Sequence, residues 1–368
     1  MKRLDYIFFT ILFICLIISS KQKSIAQSTE IDKSEIICIW KNTKHNAFPD
    51  LCFYNDNFIC SFRESDTHLP EIDSSYGKII IINSENLKNW KQIKTFESNE
   101  FDFRDSKMSI MPNGTLLLLI SGIKWEEGKN INQSNFVSFS KDGIEFSDPV
   151  EVKIQDEIKT KWDFLGSIVW CDSLGYATLH QRNKPRNTWS VYLLKTYDGI
   201  WFDTITQWQI KNKPSEADLK FDTKGNLMAI VRVEPGKNGK FGISEYPFEN
   251  WKWYDTKTRL GGPELFQINQ DTLLVGSRYY NPDIPYHIPI KGREYVGQKT
   301  ALFLMNKEGT IINTLFLPSY GDCSYPAILK DKNNNLVICY YSSHEKETSI
   351  YLFITSISKL INKYFKTY

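Results

Sequence analysis

Little in this chain points to metal, redox or helical chemistry. Histidine is scarce, five in 368 residues, and these lack metal-ligand spacing. The seven cysteines include no close pair of the kind that makes a zinc knuckle or a thiol redox motif, so most read as core residues. Cys52 and Cys60 flank the turn at Asn55 to Asn57, which makes a cross-strand disulfide between them one expectation. An apolar period of helical type is missing, which excludes an α-rich fold. Charge is nearly balanced at +2, so the chain has no basic excess with which to hold nucleic acid. No linker breaks the pattern described below, and a single domain over residues 27–368 is expected.

The N-terminus stands apart. Lys2 and Arg3 precede an apolar run from Ile7 to Ile18, and Ser24-Ile25-Ala26 supplies a small-x-small cleavage site. Residues 1–26 therefore read as a secretory signal peptide, giving a secreted or periplasmic protein. Twelve positions are too few to cross a hydrocarbon core of roughly 30 Å, so no membrane insertion is expected once the segment is cleaved. Lipid attachment at Cys15 is disfavoured because Phe13-Ile14, not a small residue, precedes it. Cleavage removes Lys2, Arg3, Lys21, Lys23 and Asp5, which takes the formal charge from +2 to −1.

What the chain does contain is a repeat. Ser84 to Trp90, Ser140 to Phe146 and Thr196 to Phe202 read SENLKNW, SKDGIEF and TYDGIWF, with first residues spaced by 56 both times. A weaker copy, SEYPFENW, ends at Trp251. Self-similarity at this period, with strands inside each repeat, predicts a β-propeller. The pattern of hydroxyl residue, Asp-Gly turn and aromatic resembles the Asp-box, or bacterial neuraminidase repeat, a turn between the outer two strands of a blade. Its Asp and hydroxyl serve the turn, so Asp142 and Asp198 are expected on the face away from any active site.

A second repeat, of apolar strand, polar turn and apolar strand, occurs six times: His45 to Arg63, Arg104 to Gly122, Phe164 to Arg182, Glu216 to Glu234, Gly262 to Tyr280 and Cys323 to Glu345. The expected fold is all-β, a six-bladed propeller. Its last blade lacks one strand, which Glu35 to Lys41 can supply, closing the ring and removing its edges.

Acids and arginines recur where these hairpins open and close. Asp50 and Arg63, Glu216 and Arg232, and Glu264 and Arg278 flank three hairpins, joined by Arg104 and Asp105, by His180 and Arg182, and by Asp322, Tyr325 and His344. Such a rim makes a polar funnel suited to an anionic or highly hydroxylated ligand. The plainer alternative is a set of cross-strand ion pairs between blades.

The stretch from Glu216 to Arg232, with its Lys-Gly-Asn turn, resembles the sialidase (neuraminidase) family, where a Glu opens a hairpin and a carboxylate-binding arginine closes it. Asp322-Cys-Ser-Tyr325-Pro-Ala-Ile-Leu resembles the segment that carries that family's nucleophilic tyrosine. The resemblance implies an exo-acting glycosidase for terminal acidic sugars. Tyr325 would be its nucleophile, Glu216 the base, Arg232 and Arg278 the grip on the substrate carboxylate, and Arg293 a competitor for a third position. A neutral tyrosine suits this chemistry because a carboxylate nucleophile would be repelled by an anionic sugar. The family places its general acid on the loop after the first hairpin; of Asp66, His68 and Asp73 there, Asp73 is preferred. One departure stands out: the family's first arginine lies in an Arg-Ile-Pro motif, and this chain has Ala47-Phe48-Pro49. Arg63 or Arg104 is the expected replacement, and His344 an additional contact to substrate.

Two other readings remain open. A glycosidase of arabinanase or fructosidase type would use the carboxylates Asp50, Asp105 and Glu216, but those families have five blades. A non-catalytic glycan-binding propeller would use the same funnel, with Trp125, Tyr279, Tyr280 and Tyr286 stacking on sugar faces. The expected partner in each case is a glycan or small sugar. No cofactor or metal is called for.

Overall fold

The computed structural model describes residues 28–70, 75–183, 186–281 and 297–365. Six sheets follow one another along the chain, each meandering from an inner strand to an outer one, and together they form the six-bladed propeller expected from the repeats. Blade one holds His45–Tyr54, Asn57–Ser65, Lys78–Ser84 and Lys91–Phe96. Blade two holds Asp102–Ile110, Leu116–Glu126, Lys129–Ser140 and Val150–Glu151. Blade three runs through Asp163–Cys171, Leu174–Asn183, Thr188–Thr196 and Trp201–Gln207, and blade four through Lys213–Phe221, Leu227–Glu234, Lys240–Ser244 and Lys252–Asp255. Glu264–Gln267, Thr272–Tyr280, Gln298–Asn306 and Ile311–Phe316 make blade five; Cys323–Lys330, Asn335–Glu345 and Glu347–Ser356 begin blade six.

The strand that completes blade six comes from the other end of the chain. Ile36–Trp40 pairs antiparallel with Glu347–Ser356, Ile37 opposite Leu352. A further N-terminal strand, Ser28–Glu30, adds in parallel to Ile311–Phe316 of blade five. Leu360, Tyr364 and Phe365 then fold back from the C-terminus onto the core between blades five and six.

Apolar residues form six clusters, one in each gap between neighbouring blades. Ile79 and Ile81 face blade two, whereas Ile80 and Ile82 face blade six. Likewise Leu116 and Leu118 pack on blade one while Leu117 and Leu119 pack on blade three. A strand buried on both faces has no polar side to present, which is why these segments read as unbroken apolar runs rather than alternating ones.

The heptad repeats sit between the third and fourth strands of their blades, at the end where the inner hairpins turn. Asp198 Oδ1 accepts from the Ile200 and Trp201 amides at 2.8 and 2.9 Å, and Thr196 Oγ1 accepts from Gly199 N at 2.8 Å. Asp142 and Ser140 repeat these bonds. The amides of Ile144 and Glu145 hold the Asp142 carboxyl below its ordinary pKa. Tyr54, at the foot of blade one, donates to Lys141 O at 3.0 Å, so the turn also locks its neighbour.

All six cysteines of the described residues are free. A Cys52 to Cys60 disulfide is ruled out by register: Cys52 pairs with Ile59 and Cys60 with Leu51, which puts the two thiols on opposite faces of the sheet.

Replacing Asp198 by Ala removes an acceptor of two backbone amides at a tight turn. We expect a loss of about 1–2 kcal/mol in urea unfolding, with ligand binding at the opposite face unchanged.

Candidate active site

Each inner strand begins with the same irregularity. Two of its residues stand opposite one residue of the second strand: Phe48-Pro49, Asp105-Ser106, Gly166-Ser167, Ser215-Glu216, Gly262-Pro263 and Tyr325-Pro326. These are β-bulges, which bend the strand and re-aim its side chains. The first bulge residue has positive φ in four blades, at Phe48 (55°), Asp105 (49°), Gly262 (54°) and Tyr325 (46°). Ten of these residues, from Phe48 to Tyr325, line one pocket at the mouth of the central channel.

Across that mouth, blade six meets blade four. Tyr325 Oη donates to Glu216 Oε1 at 2.7 Å, and Arg232 Nη1 lies 2.8 Å from Glu216 Oε2 and 3.5 Å from the phenol. Gly262, in the blade between them, donates its amide to Glu216 Oε2 at 3.0 Å. A Cβ at Gly262 would run into the Tyr325 ring, so only glycine lets that ring lean over blade five. Behind the ring, Arg278 Cζ sits 5.3 Å from its centroid, and Phe48 packs edge-on at 5.0 Å.

The electrostatics match these contacts. Burial opposes the charge on Glu216, but Arg232 and the Tyr325 hydroxyl outweigh it and hold the carboxyl at about 2. Burial and the Glu216 charge push the Tyr325 phenol well above its usual range. Asp105 is raised by burial despite Arg104 at 3.1 Å.

The remaining expected site residues are distributed more widely. Asp50 lies deeper in the channel, accepting from Met108 N at 2.6 Å and Lys107 Nζ at 3.3 Å. Arg63 is wholly enclosed, with Nη2 2.8 Å from Asp102 Oδ1, and reaches no exposed surface. A Cβ at Gly77 would fall on that guanidinium, and the Gly77 amide caps Asp102 at 2.7 Å. Arg104 approaches from blade two, its Cζ 5.0 Å over the Phe48 ring. His344 is elsewhere: it bonds Ser342 Oγ at 3.0 Å and packs at a tilt against Tyr351, beside the N-terminal strand. Asp73, Arg293 and Tyr286 lie outside the described residues.

Only one of the three expected acid and arginine couples is a pair. Glu216 and Arg232 meet, but Glu264 bonds Lys107 and Lys220, whereas Arg278 donates to Cys323 O at 2.9 Å and Tyr341 Oη at 2.8 Å. The sequence pairing assumed partners within a hairpin; the side chains reach across to neighbouring blades instead. Burial and Asp218 push Glu264 up to about 7 in this layer.

Two groups were missed as sets by sequence reasoning. Glu234 clamps Arg232 from the far side, 2.7 Å from its Nε. His45 and His68 both contact Asp322 Oδ2, at 2.9 and 2.6 Å. Asp322 and His45 are 277 residues apart, and only ring closure brings them together.

Arg63 and Asp102 predict a stability effect rather than a binding one. Arg63→Ala leaves the buried Asp102 carboxylate with only the more distant cation Arg104, at 3.7 Å, and should cost about 3–5 kcal/mol in chemical unfolding. A second expectation concerns acid. Glu216 titrates below its ordinary 4.5 in the folded state, so its ionised form stabilises the fold above that pH, and the contribution is lost as pH falls toward about 2. Unfolding midpoints followed from pH 5 to 2 should drop more steeply for the wild type than for Glu216→Gln.

No protein-family model and no curated protein matches this chain. Solved structures do. A protein of unknown function from Dyadobacter fermentans superposes with a TM-score of 0.71 at 16% identity, over 88% of this chain and 98% of its own. Trypanosoma rangeli sialidase in complex with sialic acid gives 0.63 at 11% identity, over 90% of this chain and 60% of its own. Penicillium chrysogenum alpha-L-arabinanase complexed with arabinobiose gives 0.58 at 12% identity, over 84% and 93%. The likeness at these identities is one of fold, and the chain is a six-bladed propeller of sialidase-like architecture.

Proposed function

We propose that this chain is a retaining glycoside hydrolase of sialidase type that removes a terminal acidic sugar from a glycan. The observation that supports it is the bond from Tyr325 Oη to Glu216 Oε1 at 2.7 Å, made at the mouth of the channel beside Arg232.

In this reading Glu216 accepts the phenolic proton as Tyr325 Oη attacks the anomeric carbon and the bond to the leaving group breaks. Water then attacks the anomeric carbon and gives a proton to the loop acid that served the leaving group, the bond to Tyr325 Oη breaks, and the phenol regains its proton from Glu216. The leaving group takes its proton from an acid on the loop after the first hairpin, Asp73 in the sequence reading.

Arg232 couples binding to activation. Its guanidinium is shared between Glu216 and Glu234, which keeps Glu216 a weak base. A substrate carboxylate bound at Arg232 would draw that charge away and raise the basicity of Glu216 just as the sugar arrives. Arg278 is preset by Cys323 O and Tyr341, with Arg104 entering from blade two where the family's first-blade arginine is missing.

Asp50 favours this reading over a three-carboxylate glycosidase, because it is committed to Met108 N and Lys107 beneath the mouth. The proposal includes export directed by residues 1–26, so the glycan would be met outside the cytoplasm.

The test is fluorophore release from a 4-methylumbelliferyl sialoside and related acidic glycosides. Tyr325→Phe should abolish turnover while the chain still folds, and Glu216→Gln should lower kcat on the order of 10²–10⁴-fold. Gly262→Ala, which displaces the Tyr325 ring, should lower kcat as well. Full activity in Tyr325→Phe would sink the tyrosine mechanism.

A further inference from the structure

We propose that His45, His68 and Asp322 form a binding site for a zinc-class divalent metal ion at the edge of the channel mouth. The three ligand atoms, His45 Nε2, His68 Nδ1 and an Asp322 carboxylate oxygen, all lie within 4.8 Å of one another. They arrive from three separate segments: the start of the first inner strand, the loop after the first hairpin and the approach to the last inner strand. Two of the five histidines in the chain thus converge on one carboxylate.

The carboxylate is built as a ligand would be. Its Oδ2 takes both imidazoles, while Oδ1 accepts from Tyr341 Oη at 2.9 Å, and Tyr341 Oη in turn accepts from Arg278 Nη2 at 2.8 Å. Such an outer bond orients a first ligand and fixes its charge. Two imidazole nitrogens and one carboxylate oxygen thus meet at one point, the donor arrangement that a shared ion can use.

The donor set selects the ion class. Two imidazoles with one carboxylate suit zinc and its first-row neighbours, whereas calcium and magnesium prefer all-oxygen sites. Three protein ligands leave a coordination position for water or a ligand oxygen. His68 is partly exposed, and its ring meets Phe48 edge-on at 5.3 Å. An ion here would place positive charge beside Phe48, where the Arg-Ile-Pro arginine is absent, and next to Arg278. Sequence spacing hides the set, because 23 residues separate the histidines and the acid is 254 residues further on.

The site can be tested without any substrate, so its failure is distinct from failure of the hydrolase reading. The mature chain, stripped with chelator, is titrated with zinc chloride by calorimetry and with cobalt(II) by visible absorption. One equivalent of zinc and the d–d bands of a four- or five-coordinate cobalt site are expected. His45→Ala and His68→Ala should each lose that stoichiometric uptake, and Tyr341→Phe should weaken it about 10–100-fold. Should the wild type take up no ion, or the His45→Ala, His68→Ala double variant bind as well as the wild type, the trio is only a hydrogen-bonded brace for Asp322 and the proposal falls.

Discussion

The geometry of this molecule depends on a backbone irregularity repeated once per blade. Two residues against one at the head of each inner strand turn a ring of flat sheets into a ring of side chains aimed at a common point. Phe48, Asp105 and Tyr325 hold positive φ there without being glycine, a conformation that costs each roughly 1–2 kcal/mol. The six interblade cores bear that cost. Strain of this kind collects at functional positions because the surrounding packing leaves the chain no alternative.

Around that ring, several of the ions find their partner in another blade. Asp102 of blade two neutralises Arg63 of blade one, Lys107 of blade two reaches Asp50 and Glu264, and Arg278 of blade five is held by blade six. These links cross blade boundaries at the channel, where the apolar seams end. Within blade four, Arg232 is held between Glu216 and Glu234, so its guanidinium is ordered by charged contacts on both sides.

How much of this was legible in the sequence follows from how local each feature is. The heptads, the hairpins and the closing strand at Ile36–Trp40 are written within short segments, so period and pattern were enough to find them. Glu216, Arg232 and Tyr325, which meet at the mouth, stood out in the sequence because a hairpin and a motif carry them. Partnerships were not legible. Arg63 went to Asp102 and Arg278 to blade six because the neighbouring blade, not the neighbouring strand, supplies the nearest opposite charge. Cys52 and Cys60 looked paired until register put them on opposite faces. His45 and His68 gave no spacing signal at all, since ring closure alone brings Asp322 to them.

The central claim is that Tyr325, activated by Glu216, becomes covalently bound to the sugar. The most direct measurement is peptide mapping by mass spectrometry after incubation with a 2,3-difluorinated analogue of whichever acidic sugar the protein releases. The account predicts a glycosyl adduct on the phenolic oxygen of Tyr325, absent in Glu216→Gln under the same conditions. An adduct on Asp50, Asp105 or Glu216 would contradict it and identify a carboxylate glycosidase instead.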